Sequence, residues 1–188
     1  MKKTKRIVYL HGIHSGGGLT LLEDVVRLAG ADDRYCFVFD ARVRPLLCHE
    51  NIKNKVFFSA GLIGRYESEL FVWKKADKNT TILSMNSIPF FLPISGRQIV
   101  FFQNVNLLVS KQFLAREYRI RQIMFRFCAK RVAKFIVQTQ TVKKMLVKKT
   151  KQPIEVCPFL DEKVLSSCAA DAVQRKSKEG SNVFVYVA

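Results

Sequence analysis

Residues 6–28 read RIVYLHGIHSGGGLTLLEDVVRL, and the reading of this stretch decides the fold. Arg6–Leu10 is a short apolar run rich in β-branched and aromatic side chains, which predicts a buried strand. His11–Gly18 carries four glycines and predicts a loop. From Leu19 to Leu28 the apolar residues recur at helical spacing, and Gly30 stands where a helix stop is expected. Strand, glycine loop and helix in that order open a βαβ unit. Glycines at that junction let backbone N–H groups approach an anion at a helix N-terminus, where the dipole also favours it. Gly16, Gly17 and Gly18 are therefore candidate phosphate contacts. The loop is not a P-loop, since no Gly-Lys-Ser/Thr follows, and the glycine positions do not fit GxGxxG.

Outward from this unit the same alternation continues. Tyr35–Asp40, Lys55–Phe58, Thr81–Met85, Ile99–Phe102, Phe135–Val137 and Ile154–Cys157 read as further short strands. Tyr66–Lys75, Lys111–Arg131 and Gln140–Lys149 read as helices, the last with Thr139 as its cap. Strands alternating with helices predict an α/β fold, a three-layer αβα Rossmann-like domain with a mostly parallel sheet. Such sheets hold ligands at the carboxyl ends of their strands. That domain is expected over residues 1–160. Residues 161–181 read as a polar linker, and residues 182–188 (NVFVYVA) as one more strand.

The 188 residues hold 32 Lys+Arg against 15 Asp+Glu, a net charge of +17. Hydrophobic residues make up 48%, enough for a buried core, which excludes wholesale disorder. Residues 111–151 contain 13 basic residues and one acid, Glu117, so most of the excess lies there. A charge of this sign predicts a polyanionic partner: nucleic acid, phosphorylated substrate or anionic lipid. No RRM, KH or zinc signature supports nucleic acid. The apolar run at Ile7–Leu10 is too short for a signal peptide. The longest uncharged stretch, Asn79–Gly96, contains Asn86, Pro89 and Pro93, and predicts strands around a loop rather than a membrane span. Five cysteines without a CxxC pair predict reduced, mostly buried thiols and no metal site.

Three other features carry chemistry. Leu10-His-Gly ahead of the glycines is like an oxyanion-hole segment, but a hydrolase needs a GxSxG elbow and a later His; GxSxG is absent and the last His is His49. His14 lies in the loop as a candidate hydrogen-bonding group. Gln103 and Asn104, closing the IVFF strand, and Asn86, after TILSM, suit contacts to a polyhydroxyl ligand, the other reading being turn-forming amides. On a helix running to Lys134, Arg116, Arg119, Arg126, Lys130 and Lys134 fall within an arc of roughly 80°. Phe113, Leu114, Ile120, Met124, Phe125, Phe127 and Val132 are expected on the opposite, buried side, and Arg121, Ile123 and Arg131 break the pattern. Lys143 and Lys144 extend the basic surface, which is expected to meet an anionic membrane or phosphate.

The order of these motifs resembles the N-terminal half of the retaining GT-B glycosyltransferases with two Rossmann-like domains. Gly16–Gly18 after the first strand, IVFFQNVNLL at 99–108, the helix, strand and capped helix over 128–146, and Ile154–Phe159 carry the resemblance, with Val183–Ala188 as the first strand of a second domain. The resemblance implies sugar transfer from a nucleotide sugar to a membrane-associated acceptor, in polysaccharide or lipopolysaccharide synthesis, by a cytoplasmic protein peripheral on the inner face of the membrane. Gly16–Gly18 would face the donor phosphates, and His14, Asn86, Gln103 and Asn104 would contact acceptor or sugar hydroxyls. No cofactor or metal is implied, and no catalytic residue is assigned. The family's donor domain uses two glutamates eight positions apart, and no glutamate pair here has that separation. Transfer by this chain alone is therefore not expected. The donor site would come from a truncated second domain or a separate subunit; the alternative reading is a non-enzymatic basic domain that binds membrane or nucleic acid.

Overall fold

The computed structural model describes residues 6–108 and 116–158, and for residues 116–118 the backbone alone. The expected linker at 161–181, the strand at 182–188 and the start of the basic helix, with Phe113 and Leu114, lie outside the described residues.

Seven strands form one all-parallel sheet: β1 (Arg6–Leu10), β2 (Tyr35–Asp40), β3 (Lys55–Phe58), β4 (Thr81–Ser84), β5 (Arg97–Phe102), β6 (Lys134–Val137) and β7 (Ile154–Val156). Their spatial order is β3-β2-β1-β4-β5-β6-β7. The chain winds outward from β1 to β3, recrosses β1, and winds outward the other way from β4. Right-handed crossovers then require the first helix on one face and the later ones on the other. The packing follows this. Helix α1 (Gly17–Ala29) buries Leu22 and Val26 against Val8, Leu10, Phe37 and Phe39. Helix α2 (Gly61–Lys75) puts Val72 against Ile7, Tyr9, Val38 and Ile82, the alternate residues of the same strands. Helices α3 (Arg116–Cys128) and α4 (Gln140–Val147) bury Phe125 and Leu146 against Val100, Phe102, Phe135 and Val137. Registry from Tyr9 through Ser84 to Val100 places these on the α2 face. The result is the expected three-layer Rossmann-like architecture. No described helix is long and apolar enough to cross a membrane, and Asn79–Gly96 folds as β4 and a loop.

Several local expectations change. Helix α2 starts at Gly61, five residues before the predicted Tyr66. Gly61 and Gly64 look like loop residues in sequence, but a Cβ on Gly64 would lie 1.6 Å from the Ser59 carbonyl oxygen, so the helix needs glycine there to pack on its own entry segment. The basic helix ends at Cys128, a 3-10 turn follows over Ala129–Arg131, and Lys134 belongs to β6. Of the four described cysteines, Cys36 and Cys128 are buried and Cys48 and Cys157 exposed, so the thiols are not mostly buried. Burial pushes the Cys36 and Cys128 thiols up.

The loop from β4 to β5 carries no helix and is held instead by a buried ion pair. Glu69 accepts from Arg65 Nε at 2.9 Å and, through its other oxygen, from the backbone N–H of Phe91 and Leu92. Arg65 also donates to the carbonyls of Ile88 and Pro89. Removing one member leaves a buried charge without its counterpart, which costs about 3 kcal/mol or more. Glu69→Ala is expected to lower the urea unfolding free energy by about that amount, whereas Glu67→Ala, on the exposed side of the same helix, leaves it within about 0.5 kcal/mol.

Candidate functional site at the carboxyl edge of the sheet

The winding direction reverses between β1 and β4, so the loops leaving their carboxyl ends diverge to opposite faces. A crevice at this position follows from topology alone. Its floor is stitched shut. Met85 N–H donates to the Tyr9 carbonyl, and Asn86 Nδ2 donates to the His11 carbonyl at 3.2 Å. Asn86 Oδ1 accepts from Ile88 N–H, so both ends of the amide hold backbone. Gly12, at φ 87°, makes this close approach feasible: a Cβ there would sit 3.2 Å from Asn86 Nδ2 and would require a backbone conformation L side chains rarely adopt.

The glycine loop leads directly into α1. Gly16 is the N-cap, at φ 66° and ψ −158°, and its side of the helix end is open. No side chain caps this end and no acidic residue occupies its first turn. The first turn, with Gly17 and Gly18, therefore presents the positive end of the helix dipole at the carboxyl edge without a side-chain cap. Gln103, just past β5, reaches the same place: its Oε1 lies 3.9 Å from where a Gly18 Cβ would be. The backbone that carries it is fixed by Ser87 Oγ, which accepts from the N–H groups of both Gln103 and Asn104 at 2.9 and 2.8 Å. Asn104 is different. Its Oδ1 accepts from Asn106 N–H and caps the 3-10 turn Val105–Leu107, the turn-forming role that sequence left open.

The opposite wall is a chain of polar groups that sequence reading passed over. Asp40 ends β2 with its carboxylate fully buried, and Arg42 grips it through Nε at 2.9 Å and Nη2 at 2.7 Å. The Arg42 backbone N–H adds a third bond to the same carboxylate. Arg42 Nη1, whose only role is to donate, meets His14 Nε2 at 2.9 Å. The His14 proton consequently sits on Nδ1, which donates to the Gly12 carbonyl at 3.2 Å. His14 is thus held in one tautomer by a pre-oriented guanidinium. The nearby His11 is buried and its Nε2 bonds the Ser59 carbonyl, so it belongs to the scaffold. The signal for the missed wall was Asp-x-Arg at the end of an apolar strand.

The structure brings Gly16–Gly18, His14 and Gln103 to one crevice edge and adds Asp40 and Arg42 to them. Asn86 and Asn104 lie beside it with backbone partners. The basic residues are elsewhere. Arg119, Arg126 and Lys130 are exposed on and just past α3, Lys144 is exposed and Lys143 half-buried on α4, and the side chain of Arg116 lies outside the described residues. Lys134 leaves this group altogether: its strand position pairs it with Glu155 of β7. Among the described residues no group of three or more His, Cys, Asp or Glu side chains could hold a metal ion.

The edge can bind anions and hydroxyl groups, since it offers a fixed guanidinium, first-turn N–H groups and an amide. The Arg42 guanidinium holds the Asp40 carboxyl well below its ordinary 3.8, at about 2. A depressed folded-state value stabilises the fold above the unfolded pKa, and that contribution is lost as pH falls from about 4 towards 2. Its size follows from the shift, about 2 kcal/mol. Asp32, beside Arg34, titrates in the same window and must be separated from it. In acid unfolding, Asp40→Asn is expected to lower stability at pH 7 and to flatten the slope between pH 4 and 2 relative to the parent, with Asp32→Asn as the comparison. An unchanged slope in Asp40→Asn would show that Arg42 does not hold this carboxylate in solution.

No protein-family model matches the chain, and no curated protein matches it in sequence.

Proposed function

We propose that this chain is the acceptor-side domain of a retaining sugar transferase that takes sugar from a nucleotide sugar and delivers it to a lipid-linked or glycan acceptor. The observation that carries the reading is the crevice edge itself, where an uncapped glycine-rich helix start and the Gln103 amide share one opening in a parallel sheet that reverses at β1. Hydroxyl recognition needs amides and backbone groups that point outward, and Gln103 supplies one whose backbone is fixed but whose side chain is not spent on the scaffold. Gly16–Gly18 would meet a donor diphosphate, with the N–H groups of the half-exposed Arg42 guanidinium that Asp40 and His14 leave over as a second anion contact on the far wall. In such a reaction most of the rate enhancement comes from positioning and from stabilising the departing nucleoside diphosphate. The donor domain would be contributed by a second Rossmann-like unit, in a longer chain or a separate subunit, with the crevice between the two.

Saturation-transfer NMR of the full chain against a panel of oligosaccharides and nucleotide sugars tests this reading. Expected is millimolar binding of at least one glycan that weakens about tenfold in Gln103→Ala, about 1.4 kcal/mol for one lost amide contact. Gly18→Val, which sets a branched side chain 3.1 Å from Ile13 and beside Gln103, should abolish it. Nucleotide-sugar hydrolysis by the chain alone is expected to be absent. Robust turnover, or glycan binding indifferent to both substitutions, would overturn the assignment.

A further inference from the structure

The outer surface of the α2–α3 layer departs from what an amphipathic helix layer requires. On α2 the inward side is complete, with Gly64, Ser68, Glu69 and Val72 buried. On its outward side Ile63, Tyr66, Leu70 and Trp73 follow one another at three- and four-residue steps, within an arc of about 80° at helical pitch. Ile63 is 72% exposed, Tyr66 57% and Trp73 46%, with Leu62 alongside at 85%. The exposed Glu67 and Lys74 border this stripe on one side, whereas a solvated helix face ordinarily carries charged residues across its whole width.

Helix α3 repeats the pattern. Its inward anchor, Phe125, is buried, but Ile120, Ile123 and Phe127 are not, Phe127 being 70% exposed. These three stand at i, i+3 and i+7, so Ile120 and Phe127, expected on the buried side, lie instead in an outer set with Ile123. The outer set is flanked by exposed Arg119 and Arg126 on α3 and by Lys130 just beyond it. Phe91 joins the two helices. Its N–H is held by Glu69 of α2, its carbonyl accepts from Arg131 just past α3, and its ring is exposed. Both stripes lie on the same side of the sheet, opposite α1.

We infer that this layer is a docking face for an anionic lipid bilayer, with the aromatic and aliphatic stripe of α2, Phe91 and α3 entering the interface and the arginines of α3 meeting lipid phosphates. Charge complementarity selects this occupant. Among the described outward residues around the α3 stripe the charged ones are basic, and on α2 the exposed Glu67 is offset by Lys74, so the face is net positive; a partner that is both apolar in depth and anionic at its surface satisfies both sets at once. Nucleic acid would satisfy the arginines and leave Ile63, Ile120 and Ile123 in water. Interfacial aromatic side chains suit the headgroup depth, where their rings are half in hydrocarbon. The inference does not rest on the transferase reading and survives its failure.

Trp73 is the sole tryptophan of the chain and lies within the stripe, so its emission reports docking directly. With vesicles of phosphatidylcholine and phosphatidylglycerol at 7:3, the full chain is expected to show a blue shift and quenching by brominated acyl chains. Pure phosphatidylcholine should give neither. Near an anionic surface each basic residue strengthens binding about fivefold, so Arg119→Glu with Arg126→Glu should weaken vesicle partitioning more than about 25-fold. Ile123→Ser with Phe127→Ser, both surface substitutions that leave the far-ultraviolet dichroism unchanged, should abolish brominated-lipid quenching of Trp73. Rising salt should release the protein. An emission indifferent to anionic vesicles would overturn the inference. So would vesicle binding unmoved by both double substitutions, a stronger shift with random-sequence RNA than with vesicles, or burial of Trp73 in a lipid-free dimer.

Discussion

Strand β1 is hydrogen-bonded along its length to β2 on one edge and to β4 on the other, both parallel to it, and nearly every one of its side chains is buried. A parallel strand in that position needs cover on both faces, because Ile7 and Tyr9 point one way and Val8 and Leu10 the other. The cover must come from crossovers, and their handedness leaves one arrangement: α1 over Val8 and Leu10, α2 over Ile7 and Tyr9. The diverging loops at its carboxyl end then open a crevice as a geometric by-product. The open carboxyl edge and the hydrophobic core are two consequences of one strand's burial.

That dependence explains why the sheet was legible from residues alone. RIVYL, YCFVFD and IVFF are continuous apolar runs because both faces are covered, and such runs read as strands wherever turn residues bound them. Helix ends were less legible. The first turns of α2 contain two glycines, and the reason for one of them, a backbone contact at Ser59, is tertiary. Lys134 looked like the last turn of a basic helix because nothing in its neighbourhood is a breaker; what removes it is β6 pairing with β5, a non-local event. The outward turn of Ile120 and Phe127 was hidden for a related reason. Hydrophobic spacing says that a face exists, and only the packed sheet says which face is inside.

The candidate site was legible in its glycines and its free amide and not in its charged wall. Glycine signals a backbone requirement at the residue itself, so Gly12 and Gly16 announce a loop that bends through positive φ. The Asp40–Arg42–His14 chain depends on a register that places the end of β2 beside the end of β1. Asp40 is separated from His14 by a whole helix in sequence and by one strand spacing in space. Asn86 and Asn104 show the converse: a polar residue at a strand's carboxyl end is as readily consumed in building the edge as in facing a ligand, and the bonds to His11 and to Asn106 decide between the two.

The location of the two surfaces bears on how they can work together. The glycine-rich start of α1 and Gln103 open on the α1 side of the carboxyl edge, whereas the apolar and basic outer stripe belongs to α2 and α3 on the other side of the sheet. A bilayer against α2 and α3 would leave α1 turned away and the crevice at the rim, clear of the contact itself. An acceptor carried by lipid could then reach the edge laterally from the membrane plane, and a donor-bearing unit could approach from the α1 side without displacing the docked face. The excess positive charge fits this division. It is concentrated in residues 111–151, where it would neutralise lipid, while the crevice wall spends its one buried carboxylate on fixing Arg42. A net charge of +17 distributed in this way would place attraction at such a docking layer, and at the crevice edge Asp40–Arg42 is the one ion pair among the described residues.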